Sequence, residues 1–169
     1  MSHVKSFYHV VIRTYRNCMS INENHEKELY AYIFGICQQK RVKLYRIGGM
    51  PDHLHLLVSL PSYMAISIFV QEIKASSSRW LKHNPAFPLF CKWSKEYAAF
   101  SYAEKDKNMI TNYIKRQKIH HKGKDFIDEY KSLLRENGVE FEEDKLPGEI
   151  ISLAVGRAVQ QECRDRSRM

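Results

Sequence analysis

An α+β fold of the ferredoxin-like kind is predicted by three features of the sequence: stretches that alternate apolar and polar residues, stretches that repeat at helical spacing, and the order of the two kinds. That order is strand, helix, strand, strand, helix, strand, the β-α-β-β-α-β arrangement of an antiparallel sheet with two helices on one face. A further pair of helices follows, the first carrying Tyr113 and Gln117 one turn apart.

Phe7 to Tyr15, rich in β-branched and aromatic residues, reads as the first strand. Ser20 with Glu23 has the form of a capping box, and Leu29, Tyr32, Ile33, Ile36 and Cys37 then recur at helical spacing to about Lys40. Arg41 to Ile47 and His53 to Leu60 read as two strands joined by a turn at Gly48-Gly49-Met50-Pro51-Asp52. In the second of them Leu54, Leu56, Val58 and Leu60 share one face, and His53, His55, Leu57 and Ser59 the other. From Ala65 to Lys82 the apolar stripe is Ile66, Phe69, Val70, Ile73, Trp80 and Leu81; the opposite face carries Ser67, Gln71, Lys74, Ser78 and Lys82, with Arg79 beside it. Asn84 to Pro88 breaks that helix, and a fourth strand is predicted at about Tyr97 to Tyr102. Ser101 with Glu104 repeats the capping pattern before a helix running to about His121 and closed by Gly123. Asp125 caps the last helix, with Phe126, Tyr130, Leu133 and Leu134 as its stripe and Asn137-Gly138 as its stop.

At 169 residues and 44% hydrophobic, the chain suits one well-cored domain, placed at 1–144. Residues 145–169 read as a C-terminal tail, a short helix through Ile150, Leu153, Ala154, Ala158 and Val159 or a partly disordered segment. Lys and Arg number 27 against 19 Asp and Glu, a formal charge of +8, which favours a polyanionic partner such as nucleic acid. A merely basic soluble protein is the plain alternative. No apolar run approaches membrane-spanning length and the first residues lack the apolar stretch of a secretory signal, so a cytoplasmic protein without membrane contact is expected. Cys18, Cys37, Cys91 and Cys163 are widely scattered, which fits reduced thiols rather than a zinc cluster or a disulfide framework.

The chemistry is concentrated at two places. His53 and His55 project from one strand face, and a strand holds imidazole ligands rigidly, although two histidines alone more often simply pack. Asp52 either orients a histidine or makes the turn. The second place is Tyr113 and Gln117 among Lys115, Arg116, Lys118, Lys122 and Lys124, cations that would draw a phosphate backbone to the tyrosine. A helix laid on the open sheet face would bring Gln117 to the histidines as a third ligand through its amide oxygen. Positions would remain for a hard divalent cation and phosphate oxygens, with Tyr113 beside them. His120 and His121 follow close by and would touch phosphate or metal in one reading and be satisfied surface histidines in the commoner one. Trp93 and Tyr97 would stack on bases in one reading and fill the core in the commoner one.

His53-Leu54-His55, followed some sixty residues later by Tyr113-Ile114-Lys115-Arg116-Gln117, resembles the HUH-class single-tyrosine transposases, the IS200-like family of bacterial insertion sequences that mobilises single-stranded DNA. The resemblance runs from about Tyr8 to Glu143, through Tyr45 to Leu57, Lys74 to Trp80, Tyr97 to Phe100 and Gln117 to His121. It implies a nucleophilic Tyr113, with magnesium or manganese held by His53, His55 and Gln117. It implies cleavage through a 5′-phosphotyrosine that releases a 3′-hydroxyl, followed by rejoining. It also implies DNA hairpins near the element ends and a homodimer in which the tyrosine helix of one subunit completes the histidine site of the other; the residues fit an arrangement within one chain equally well. Hairpin contacts would fall to Arg13, Arg16, Lys74 and Arg79, with Lys115, Arg116 and Lys118 near the tyrosine. Two rival readings are a catalytically silent nucleic-acid-binding module and a metal-dependent phosphoesterase that uses water. A relaxase or replication initiator is disfavoured by the small size and the lack of a helicase region.

Overall fold

The computed structural model describes residues 2–120, 125–142 and 146. Strands β1 (Phe7–Thr14), β2 (Lys43–Met50), β3 (His53–Ser59) and β4 (Trp93–Tyr102) form one antiparallel sheet in the order β2-β3-β1-β4. Helices α1 (Glu26–Gln39) and α2 (Ile66–Lys82) make the two crossovers. After β4 come a 3-10 turn (Glu104–Asp106), α3 (Lys107–Lys115), the four-residue α4 (Gln117–His120) and α5 (Phe126–Glu136). This is the expected α+β sandwich with its additional helices.

The alternation along the strands builds two cores. Val10, Ile12, Leu54, Leu56 and Val58 point one way and pack with Leu29, Ile33 and Cys37 of α1 and Phe69, Val70 and Ile73 of α2. Each of the aliphatic and phenylalanine side chains among them, fully buried, contributes about 1.5–3 kcal/mol. Val11, Ala98 and Phe100 point the other way, against Phe126, Leu133 and Leu134 of α5, while Leu57 packs on Ile110 and Ile114 of α3. The sheet is therefore covered on both faces, which is why β3 has no polar, solvated side and is buried from His53 to Val58.

Three local expectations are corrected. The β2–β3 turn is only Pro51 and Asp52, because Gly48, Gly49 and Met50 continue the strand opposite His55, Leu54 and His53. The two glycines serve close approach rather than turning. A Cβ on Gly49 would lie 2.2 Å from the His53 carbonyl oxygen, and one on Gly48 would lie 3.1 Å from both Cγ2 and the carbonyl oxygen of Ile114. Neither Ser–Glu pair caps a helix. The Ser20 amide donates to the Pro51 carbonyl, and α1 begins six residues later, while Ser101 stays in β4 opposite Tyr8 and Glu104 pairs with Lys5. The single helix expected up to His121 is two pieces, interrupted at Arg116, whose φ of −92° and ψ of 9° leave the helical region.

The Asp125 cap is present, its carboxylate accepting from the Ile127 amide at 3.3 Å, and Gly138 stops α5 with a φ of 66°. Trp93 is core, its indole N–H donating to Ser77 Oγ at 2.9 Å. Cys18 and Cys37 are free and buried, but Cys91 is disulfide-bonded, a pairing that no local spacing reveals. The tail at 145–169, apart from Leu146, and His121, Lys122, Gly123 and Lys124 lie outside the described residues. Among the described residues no helix is long and apolar enough to cross a membrane.

Candidate active site

The second sheet face places three histidines side by side. In the β1–β3 register Val11 lies opposite His55, Arg13 opposite His53 and His9 opposite Leu57, so His9, His53 and His55 all project toward α3–α5, and all three are fully buried. The outer nitrogen of each β3 histidine is anchored. His53 Nδ1 is 2.7 Å from Asp52 Oδ1, and His55 Nδ1 is 2.8 Å from His9 Nε2. Both Nε2 atoms therefore face inward, and once Nε2 carries no proton and Nδ1–H is donated to those partners, this is the arrangement a ligating histidine requires.

Opposite them stands Glu129 of α5, buried in the apolar stripe of its helix. Its Oε2 is 3.5 Å from His53 Nε2 and its Oε1 is 3.4 Å from His55 Nε2. The Tyr113 hydroxyl donates to Glu129 Oε1, and Gln117 Nε2 donates to the same oxygen at 2.9 Å. The Tyr113 ring meets His55 edge-on at 5.7 Å and His9 at 5.8 Å, and Phe126 stacks on His53 at 4.2 Å. These groups all belong to one chain.

The electrostatics follow from burial and from two carboxylates. Burial works against a charged His53, but hydrogen bonds to Asp52 and Glu129, with their charges, outweigh it and leave the imidazole pushed up to about 9. His9 is held well below the usual histidine range by burial and by His55, against a smaller opposing pull from Glu129. The Tyr113 phenol is raised far above its ordinary value, first by burial and then by the Glu129 charge and hydrogen bond. In this state the tyrosine is firmly protonated.

The donor set suits a divalent cation. One ligand atom from each of His53, His55 and Glu129 falls within 4.8 Å of the others. Two ligands each about 2.1 Å from a shared ion, at a tetrahedral angle, lie about 3.4 Å apart, which matches the 3.4 and 3.5 Å separations of the carboxylate oxygens from the two Nε2 atoms. Two imidazoles and a carboxylate form a binding set common to divalent first-row ions.

Tyr113, His53, His55 and Gln117 are thus brought together, with the Gln117 amide nitrogen toward Glu129. Sequence reasoning missed His9 and Glu129. His9 falls on alternate positions with Val11 and Arg13, and Glu129 is an acid placed between Phe126 and Leu133 on an otherwise apolar stripe; both patterns carried the signal. Of the expected DNA contacts, Arg13 pairs with Glu96 at 2.7 Å and Lys118 with Glu26 at 2.8 Å. The Arg16 guanidinium lies over the Tyr15 ring at 5.6 Å, and Arg79, Lys115 and Arg116 are exposed. Lys74 lies in a groove of about 410 Å³ between α2 and β4, lined also by Gln71, Ser78, Lys92, Lys95 and Tyr97.

Residues 2–117 match the family model described as "Transposase IS200 like". The ISDra2 transposase TnpA of Deinococcus radiodurans is 29% identical over 89 residues, and the match spans 48% of this chain and 62% of that protein, less than two thirds of its length. A crystal structure of a Deinococcus radiodurans R1 protein assigned as a transposase is similar with a TM-score of 0.52 at 24% identity, covering 69% of this chain and 93% of the other. The REP-associated tyrosine transposase bound to a REP hairpin gives 0.55 at 14% identity over 72% of each chain. At these identities both structures show likeness of fold. The family match ends at Gln117, so α5 and Glu129 lie beyond it.

Proposed function

The chain belongs to the family of IS200-like transposases, and from that premise we propose that it cleaves and rejoins single-stranded DNA at insertion-sequence ends through a covalent 5′-phosphotyrosine on Tyr113. The observation that carries this reading is the meeting, in one buried centre, of the Tyr113 hydroxyl with the paired imidazoles of His53 and His55. His53 and His55 would hold a magnesium or manganese ion, with Gln117 or Glu129 as the third group, and the chemistry it would supply is polarisation of the scissile phosphate and an offset to the charge that develops on its oxygens.

The remaining steps belong to the chain. The Tyr113 oxygen attacks phosphorus in line, the bond from phosphorus to the 3′ oxygen breaks, and the phenol's proton ends on that oxygen as a 3′-hydroxyl. One phosphate ester replaces another, so no nucleoside triphosphate is consumed, and attack on the stored ester by a different 3′-hydroxyl rejoins DNA. Asp52 and His9 keep the two imidazoles aimed inward throughout. Burial first, and then the Glu129 charge, oppose ionisation of Tyr113, so offsetting that charge would favour the phenolate.

The location of Tyr113 beside the histidines of its own chain supports a site completed within one subunit; a homodimer, proposed on the resemblance, would then pair two whole sites. Single-stranded DNA with hairpin ends is the proposed partner, in keeping with the REP hairpin held by the structural relative. The groove with Lys74, Lys92, Lys95 and Tyr97 offers cations and an aromatic face for it. Exposed Lys115 and Arg116 would guide the strand toward Tyr113. The proposed setting is the cytoplasm, where the DNA is.

The test is incubation of labelled single-stranded oligonucleotides carrying the element ends with wild type, Tyr113→Phe and His55→Ala, in manganese or in EDTA, on a denaturing protein gel. A metal-dependent covalent band absent from both variants is expected. Cleavage that persists in Tyr113→Phe would instead identify a water-using phosphoesterase, and binding without cleavage a silent DNA-binding module.

A further inference from the structure

We propose that Glu129 is a catalytic residue with two alternate partners: it holds the Tyr113 hydroxyl when no metal is bound, and becomes the third protein ligand when an ion binds, so that metal loading releases the nucleophile. This rests on the metal-assisted reading above and assigns to α5 a part in that centre.

The argument is one of lone pairs. A carboxylate oxygen accepts two strong hydrogen bonds, and Glu129 Oε1 already accepts from Tyr113 and from Gln117 Nε2. The same oxygen is 3.4 Å from His55 Nε2, and Oε2 is 3.5 Å from His53 Nε2. An ion shared by both imidazoles is therefore within reach of the carboxylate, and where Oε1, the oxygen nearer His55, takes part in its coordination, one of the two donors on that oxygen must leave. Gln117 is fully buried at the first turn of a helix, whereas Tyr113 is only partly buried. The tyrosine is the group that leaves.

Two measurements on the full chain test this without DNA. The first is manganese binding, followed by the paramagnetic resonance signal of free Mn²⁺, for wild type, Glu129→Gln, Glu129→Asp and Gln117→Ala. Glu129→Gln is expected to bind at least about tenfold more weakly, and the charged but shorter Glu129→Asp to weaken binding as well, which keeps the test open if the amide variant folds poorly. The second is the fluorine resonance of Tyr113 in protein labelled with 3-fluorotyrosine, identified by its absence in Tyr113→Phe. It is expected to shift on saturation with Mg²⁺ in wild type and to stay in place in Glu129→Gln at the same Mg²⁺ concentration. Glu129 variants within threefold of wild type, or a Tyr113 resonance indifferent to saturating Mg²⁺, would overturn the proposal while leaving the metal reading to Gln117. A wild-type chain that binds no Mn²⁺ at all would overturn both.

Discussion

His9 on β1 and His55 on β3 are joined by a hydrogen bond of 2.8 Å between Nε2 and Nδ1, with their rings stacked at 5.0 Å. The bond fixes which nitrogen of His55 faces the centre, as Asp52 does for His53. His9→Leu is therefore expected to lower manganese affinity roughly 10- to 100-fold, and His9→Gln, which retains an acceptor, to recover part of that loss. Equal affinity in wild type and His9→Leu, read by the same resonance titration, would remove His9 from the site's support.

The metal-free chain is expected to lose stability in alkali. His53 has a folded value of about 9, above the 6.5 of an unhindered histidine. Its contribution is thus complete below pH 6.5 and disappears as pH rises through 9; the change is roughly 1–3 kcal/mol. Urea melts in EDTA between those limits should show the decline, and Asp52→Asn should flatten it, since that carboxylate is one of the two that keep the imidazole charged. A curve equally steep in both proteins would place the effect elsewhere.

Gly49→Ala is expected to destabilise the chain by about 2 kcal/mol or more, since a Cβ 2.2 Å from the His53 carbonyl must displace backbone. Gly48→Ala meets Ile114 at 3.1 Å and presses on the helix that carries Tyr113. The milder clash should cost less in a thermal melt yet reduce formation of the covalent adduct several-fold. Normal adduct formation in Gly48→Ala would show that α3 absorbs the methyl group without moving its tyrosine.

Lys74→Glu and Lys95→Glu, in the groove between α2 and β4, are expected to weaken hairpin binding and to reduce the slope of log affinity against log salt by about one per lost phosphate contact. Lys118→Ala should change that slope little, because its ammonium is occupied by Glu26 at 2.8 Å and Glu23 at 3.7 Å. Filter binding over a range of salt concentrations separates the two cases, and an unchanged slope in both groove variants would move the DNA surface to another face.

The sheet and its crossovers were legible because burial on two faces enforces period two in the strands and an apolar stripe in α1 and α2. The errors arose where tertiary contacts override local grammar. Ser20 has the residue type of a cap, but its amide is committed to Pro51, and Ser101 is held in register with Tyr8. Gly48 and Gly49 look like turn residues, while their role depends on Ile114, which is distant in sequence, and on the His53 carbonyl across the hairpin. The meeting of His53, His55, Tyr113 and Gln117 followed from topology, since one helix on the open face brings them together. His9 and Glu129 were harder to see because a histidine in a strand and an acid in a helix are ordinary residues until the packing shows what each one faces.

Complete burial of His53 and His55 beneath Phe126 and Glu129 imposes an order of arrival. A hydrated ion is small enough to reach the imidazoles through the thermal breathing of a packed helix, but a polynucleotide is not. On the metal-assisted reading proposed above, the ion would come first and the DNA would wait for the cover over the histidines to move, so turnover at saturating DNA is expected to be limited by a motion of the protein and to respond to viscosity more than to the leaving group.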